Sequence, residues 1–328
     1  MHEFRILSLD GGGMMGAFSA SVLATYEREC RERTDKGLID HFDLITGTST
    51  GGIIAIGLAM GATAEQVLAF YRERGARIFP RSGGVGSWFR TFRNLFRPQF
   101  PPAELRKAIG DVVGEKTLGE AKARLVIPTY DAEMGRVYLF KTPHHPQAAY
   151  SRDVKAVDAA LATSAAPTYF PAHHVPGHGT FIDGGVWGNC PAVIGIAEAV
   201  SYCGRRLEDI HVLSISTTNY PFRLGERQQL GGLVGWGPKI IETFMFSQAQ
   251  AAVGEATCLL RDRTQSPPAD RFHRIDYVAE PNLFQMDDAR AAERLIEIGR
   301  NVAVQVAHAE VVKRDFLNGR PAEPFRPA

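Results

Sequence analysis

The sequence is poor in several features that would each point to a function class. Cysteine occurs four times in 328 residues, at Cys30, Cys190, Cys203 and Cys258, with no C-x-x-C spacing. That argues against a zinc module and against a disulfide scaffold. Charge of either sign is not in excess: 37 Lys and Arg face 36 Asp and Glu, a net charge of +1. A balanced chain has no global field to draw it to a nucleic-acid polymer, so attraction to phosphate must come from a local patch. No apolar run reaches the length of a bilayer-spanning helix. The opening residues MHEFRILSLD lack the basic and apolar regions of a secretory signal, so a cytoplasmic location is expected. Repeats and long low-complexity linkers are also missing.

What remains is an ordinary globular composition, 45% hydrophobic and 22% charged, organised by short apolar runs that end in glycines. Phe4–Leu9 reads as a buried strand and runs into Asp10-Gly11-Gly12-Gly13. Residues 17–33 follow with helical spacing, Phe18, Val22 and Tyr26 on one face. A second strand at 42–46 meets Gly47-Thr48-Ser49-Thr50-Gly51, and a buried helix is expected over 53–60. Two strand–turn–helix units in succession predict an α/β fold: a mostly parallel central sheet covered by helices. Further strands are expected at 123–130, 136–141, 210–216 and 271–278, and helices at 154–163 and 288–316. The chain reads as a single domain over 1–328, with a motif-bearing core at about 4–218 and a helical completion at about 219–328.

Three motifs carry chemistry. Gly47-x-Ser49-x-Gly51 has the form of a nucleophile elbow, in which a sharp strand-to-helix turn presents the serine at the sheet edge. The run Asp10 to Gly16 can turn successive N–H groups toward one point, as an oxyanion requires. It also matches the glycine pattern of a dinucleotide-binding turn, or a turn built for close helix–sheet packing, and the pattern alone leaves these three open. Asp183-Gly184-Gly185 places a carboxylate at a strand end, where it could act as a general base or be a plain turn residue. A serine–aspartate–histidine triad is the alternative, with His211, His273 and His308 downstream.

Taken together, Asp10-Gly11-Gly12-Gly13 with Gly16, then Gly47-x-Ser49-x-Gly51, then Asp183-Gly184-Gly185, with Ser164-Ala165-Ala166-Pro167 and Leu213-Ser214-Ile215-Ser216 between and after, resemble the patatin-like phospholipase family. The resemblance implies a three-layer α/β/α fold, a Ser49–Asp183 dyad without histidine, and an oxyanion hole from the Gly11, Gly12 and Gly13 backbone. Where many members carry an Arg or Lys after the glycines, this chain has Met14. It further implies a phospholipid membrane surface as partner, peripheral and on the inner face, and no cofactor. A cyclic oligonucleotide activator and a homo-oligomer are expectations of the same kind, the former because some compact bacterial members are antiphage effectors. A constitutive lipase and a non-enzymatic lipid-binding module are the competing readings.

Outside these motifs, residues 87–100 cluster Trp88, Phe89, Phe92 and Phe96 on one helical face with Arg90, Arg93 and Arg97 opposite. A membrane anchor, a lid and a core helix are all compatible with that pattern. His173, His174, His178 and Cys190 match no ligand spacing, and the prolines around them suggest a surface loop, so no metal is expected. Arg261, Arg263, Arg271 and Arg274 read as a second basic region.

Overall fold

The computed structural model describes residues 3–34, 36–79, 100–218, 239–262, 269–280 and 286–325, together with isolated positions 231, 236, 283, 284 and 327. The aromatic and arginine-rich stretch Trp88–Arg97 lies outside the described residues.

Strand β1 (Phe4–Leu9) is buried along its whole length and occupies the middle of the sheet. It pairs in parallel with β2 (Leu44–Gly47) on one side and with β7 (Ile210–Ile215) on the other. Strand β10 (Phe272–Ile275) extends the parallel array beyond β7, and β3 (Arg124–Asp131) extends it beyond β2. From β3 the sense reverses: β4 (Arg136–Lys141) and β6 (Gly179–Asp183) pair with it antiparallel, and β5 (His173–Val175) pairs with β6. A separate short hairpin joins β8 (Arg261–Asp262) to β9 (Ala269–Asp270).

Alternation along the strands divides the core. Leu7, Leu9, Ile45, Leu213 and Ile215 face one layer, while Phe4, Ile6, Leu44, Ile210 and Val212 face the other. Both faces are apolar because both are covered, which is why these strands read as nearly continuous hydrophobic runs. The first face is covered by α1 (Gly16–Arg33), α2 (Thr50–Ala59), α3 (Ala64–Ile78), α4 (Pro102–Val113), α5 (Ala156–Thr163) and α9 (Ala292–Ala303). The second carries α7 (Ala192–Ser201) and α8 (Lys239–Leu260). Between them, α6 (Gly185–Gly188) is a single turn after Asp183, and α10 (Val306–Val311) follows α9.

Helix α1 is buried on more than the face its apolar spacing marks, because α9 lies against it: Ser21 donates to the Ile296 carbonyl at 2.6 Å. The C-terminal third is therefore more than a helical completion, since β10 belongs to the main sheet. Its last described residues also strap across the strand starts. Buried Arg5 donates to the Phe316 and Arg320 carbonyls, and the Glu323 N–H donates to Asp43.

One histidine expectation needs correction. His173 and His174 sit in a strand, β5, where the neighbouring prolines suggested a loop. They are not gathered with Cys190: His173 meets Asp158 at 3.0 Å, His178 meets Tyr138, and Cys190 lies on the α7 side beneath Asp10. The His144 side chain is buried and, with Lys141, meets Glu198.

Candidate active site

The three motifs, far apart in sequence, meet at the carboxyl end of the parallel strands. Register brings this about: Leu9 pairs with Gly47, so the Asp10–Gly13 loop and the Ser49 turn leave adjacent strands at the same height. Strand β6 runs the other way and ends with Asp183 beside Thr129.

Ser49 has φ 55° and ψ −121°, a conformation a serine rarely adopts, and it caps the start of α2. That strain is held from several sides. The Ser49 N–H donates to Thr163 Oγ1 at 3.1 Å, Thr163 in turn donates to the Pro128 carbonyl, and Thr48 Oγ1 donates to the Gly188 carbonyl. Gly51 allows the turn because a Cβ there would lie 2.3 Å from the Leu9 carbonyl oxygen, and one on Gly47 would lie 2.2 Å from that of Gly51. The start of α2 points at the serine, where negative charge is favoured.

Asp183 is buried. Its Oδ1 accepts the Gly185 N–H at 2.7 Å, and its Oδ2 has no hydrogen-bond partner at ordinary geometry among the described residues. Burial pushes this carboxyl up to about 6, against the opposing pull of the Ser49 hydroxyl and the Gly185 N–H. The Ser164–Pro167 turn fixes it from behind: the Asp183 N–H donates to the Ala165 carbonyl at 3.0 Å and the Gly184 N–H to that of Thr163. A buried carboxylate beside a strained serine, with an acceptor oxygen free, is suited to taking a proton from that serine.

The glycine loop runs alongside. A Cβ on Gly11 would come within 3.2 Å of Ser49 Cβ, so the loop passes in contact with the serine. One expectation changes here. The Gly11 N–H is already given to the Asn189 carbonyl at 3.0 Å, and Thr217 Oγ1 donates to the Gly11 carbonyl. Gly11 thus serves as an anchor, and the donors left among Gly11, Gly12 and Gly13 are the N–H groups of Gly12 and Gly13. Gly13 has φ +58°, and a Cβ there would lie 2.3 Å from the Met286 carbonyl oxygen. That carbonyl also accepts the Met14 N–H at 2.8 Å. Gly16 opens α1 against Thr50 and Tyr71, whose hydroxyls are hydrogen-bonded to each other.

Asp10 does not face a ligand, as a dinucleotide-binding turn would have it. Its carboxylate is held bidentately by Arg274, at 3.0 and 2.5 Å, and Arg274 also donates to Ser214 Oγ at 2.7 Å. Despite the cost of its burial, the guanidinium is held above its ordinary range by Asp10. Arg274 is therefore an internal support of the glycine loop and not part of a basic surface. Removing one partner of such a pair leaves the other charge buried and unmatched, which costs about 3–5 kcal/mol. Arg274→Met is expected to be destabilised to that extent in chemical denaturation, and Arg274→Met combined with Asp10→Asn to recover part of the loss. Equal stability of the single and double variants would refute the pairing as the cause.

The histidines of the alternative triad stay away. His211 pairs with Arg5 near the start of β1, at the far end from Ser49, and His273 contacts His308 at 3.1 Å. Ser49 opens instead into an apolar cleft, walled by Met14, Ile53, Phe70, Tyr71, Leu105 and Phe170 among others, with no histidine among the described residues that line it. Among the described residues no group of histidine, cysteine and acidic side chains is arranged to hold a metal, and no helix is long and apolar enough to cross a membrane.

Sequence reasoning missed Thr163, Asn189, Thr217, Arg274 and Met286. Asn189 is the most notable: it is buried, its carbonyl anchors Gly11, and its Oδ1 has no partner among the described residues.

Comparison with known proteins gives a consistent result. Residues 7–196 match the family described as patatin-like phospholipase. A protein of Vibrio cholerae named cGAMP-activated phospholipase is 33% identical, over 99% of this chain and 97% of its own length. An Escherichia coli protein of the same name is 33% identical over 98% and 94% of the two chains. A plant relative, patatin-like protein 4 of Arabidopsis thaliana, is 34% identical over 58% of this chain and 51% of its own.

Proposed function

This chain belongs to the patatin-like phospholipase family, and on that premise we propose that it is a serine acyl hydrolase that releases fatty acids from membrane phospholipids once a cyclic dinucleotide has bound. The observation that carries the reading is the meeting of Ser49, strained at φ 55°, with the buried Asp183, whose carboxyl feels the pull of the Ser49 hydroxyl and whose Oδ2 has no other partner among the described residues. Ser49 attacks the ester carbonyl as Asp183 takes its proton. The carbonyl oxygen, now an anion, is received by the Gly12 and Gly13 N–H groups. Collapse of this intermediate expels the lysolipid alcohol with the proton from Asp183 and leaves an acyl-enzyme, and water hydrolyses that ester by the same route in reverse.

The apolar cleft beside Ser49 supports a lipid acyl chain as the group transferred. The absence of histidine at the cleft supports the dyad over the triad. Activation is supported by the names of the relatives that align over nearly the full chain; the membrane bound is then the inner face, approached from the cytoplasm. A homo-oligomer fits the same scheme.

Fatty-acid release from phospholipid vesicles by the purified chain tests the reading, with no nucleotide, with cGAMP, and with other cyclic dinucleotides. Release only with a nucleotide is expected, at least tenfold above the basal rate. Equal release without nucleotide would leave the hydrolase standing and remove the switch. No release from any lipid under any condition would overturn both.

A further inference from the structure

One buried threonine touches both halves of the dyad. Thr163 closes α5, is fully buried, and is not among the residues that line the cleft. Its hydroxyl has a single hydrogen, which goes to the Pro128 carbonyl at 2.6 Å. The oxygen is thereby left as an acceptor, and the Ser49 N–H fills it at 3.1 Å. The Thr163 carbonyl accepts the Gly184 N–H at 3.2 Å, directly after Asp183 in the chain. The side chain of Thr163 thus holds the backbone of the nucleophile, while its main chain holds the backbone beside the base.

The local fit explains why this residue is a threonine. A β-branched side chain has few χ1 rotamers, so fixing its methyl also aims its oxygen. Thr163 Cγ2 is fixed against Gly52, where a Cβ would stand only 2.7 Å away. On the other side, a Cβ on Gly184 would lie 2.2 Å from the Pro128 carbonyl oxygen, the atom that receives the Thr163 hydroxyl. Both glycines let their segments close on Thr163 and Pro128. A plain core position needs none of this: valine would fill the same volume, yet it would leave the buried Ser49 N–H without this acceptor.

We propose that Thr163 is a positioning residue that sets the separation of Ser49 and Asp183. Its hydroxyl holds the strained Ser49 turn against the end of α5, and its carbonyl holds the turn after Asp183 against the same end. Proton transfer in a dyad without a bridging imidazole depends on that separation, and a misplacement of about 1 Å costs on the order of 10²-fold in rate. Thr163 lies outside the cleft wall, so its loss falls on kcat and leaves KM in place. This assignment rests on Ser49 being the nucleophile and Asp183 its base.

The test compares Thr163→Val, Thr163→Ser and the wild-type chain on p-nitrophenyl butanoate with cGAMP present. In Thr163→Val, kcat is expected to fall on the order of 10²-fold with KM within about twofold, and Thr163→Ser, which keeps the hydroxyl, is expected to stay within about threefold of wild type. The rate of fluorophosphonate labelling per folded molecule should fall with kcat. An unchanged labelling rate per folded molecule, or equal losses with valine and serine, would overturn the proposal. Thr163→Ala removes the same oxygen without added bulk and is expected to behave as Thr163→Val. A chain that folds with serine and with neither valine nor alanine would make Thr163 a structural residue, and that also overturns it. Hydrogen exchange of the Ser49 amide needs no turnover and so separates this proposal from the hydrolase reading. Exchange roughly tenfold faster in Thr163→Val than in the wild type and Thr163→Ser supports the hold on Ser49 even if no ester is hydrolysed. Unchanged exchange overturns it.

Discussion

Ser49→Ala is expected to lose hydrolysis of every ester by at least about 10³-fold while keeping the fold, because the acyl-enzyme route ends with its nucleophile. The structure adds a second expectation that a plain surface serine would not give. Ser49 is held at φ 55° and ψ −121°, where a Cβ is strained and glycine is not, and such positions cost on the order of 1–3 kcal/mol. Ser49→Gly is therefore expected to be as inactive as Ser49→Ala yet more stable than the wild-type chain, by roughly 1 kcal/mol or more. A fluorophosphonate probe should label the wild-type chain and neither variant. Labelling that persists in Ser49→Ala would move the nucleophile to another serine, and Ser164, which also borders the cleft, would be the next to examine.

Asp183→Asn should show the opposite signs for activity and stability. Activity is expected to fall by about 10³-fold, since the amide cannot accept the serine proton. The wild-type carboxyl is pushed up to about 6 by burial, above the ordinary unfolded value near 3.9. Between about pH 4 and 6 the folded chain thus binds more protons at this site than the unfolded chain, and stability falls as pH rises through that window. Above it the charge stays buried at a cost on the order of 1–3 kcal/mol. Asparagine removes that cost, so Asp183→Asn should melt a few degrees higher at pH 7.5, and this gain should disappear near pH 4. The wild-type rate should rise with pH along an acid limb centred near 6, the protonated base being inactive. A variant that is inactive but less stable at pH 7.5 would mean that Asp183 is a structural carboxylate; an acid limb near 4 would mean that burial does not govern it.

The parts of the fold legible in the sequence are those set by local pattern. Strand β4 spans Arg136–Lys141 in both, and β1 and α1 start within a residue of expectation, because an apolar run bounded by glycines leaves few alternatives. The glycine loop shows the limit. The sequence offers three consecutive N–H groups and cannot say which is free until the Asn189 carbonyl is known to occupy that of Gly11. Arg274 shows it more plainly, since it lies among other arginines in the sequence and its partner Asp10 is 264 residues away. Its burial follows from the placement of β10 beside β7, and a parallel pairing leaves no short-range trace. The proline-flanked histidines misled for a related reason: β5 is an edge strand of three residues, short enough for its flanking turns to dominate the pattern.

The supports of the glycine loop have a bearing on synthesis. A nascent chain that has emerged as far as Asp183 carries both the serine and the carboxylate, yet it lacks Arg274 and Met286, the groups that clamp Asp10 and Met14. At about 5–20 residues per second, roughly a hundred further residues separate these two stages, an interval of some seconds; β7 joins β1 early in it and β10 joins β7 only near its end. On the proposed mechanism, the groups that hold the oxyanion donors in place are made last. A ribosome-bound chain that ends before Arg274 is then expected to cleave no lipid, and activity to be confined to completed molecules.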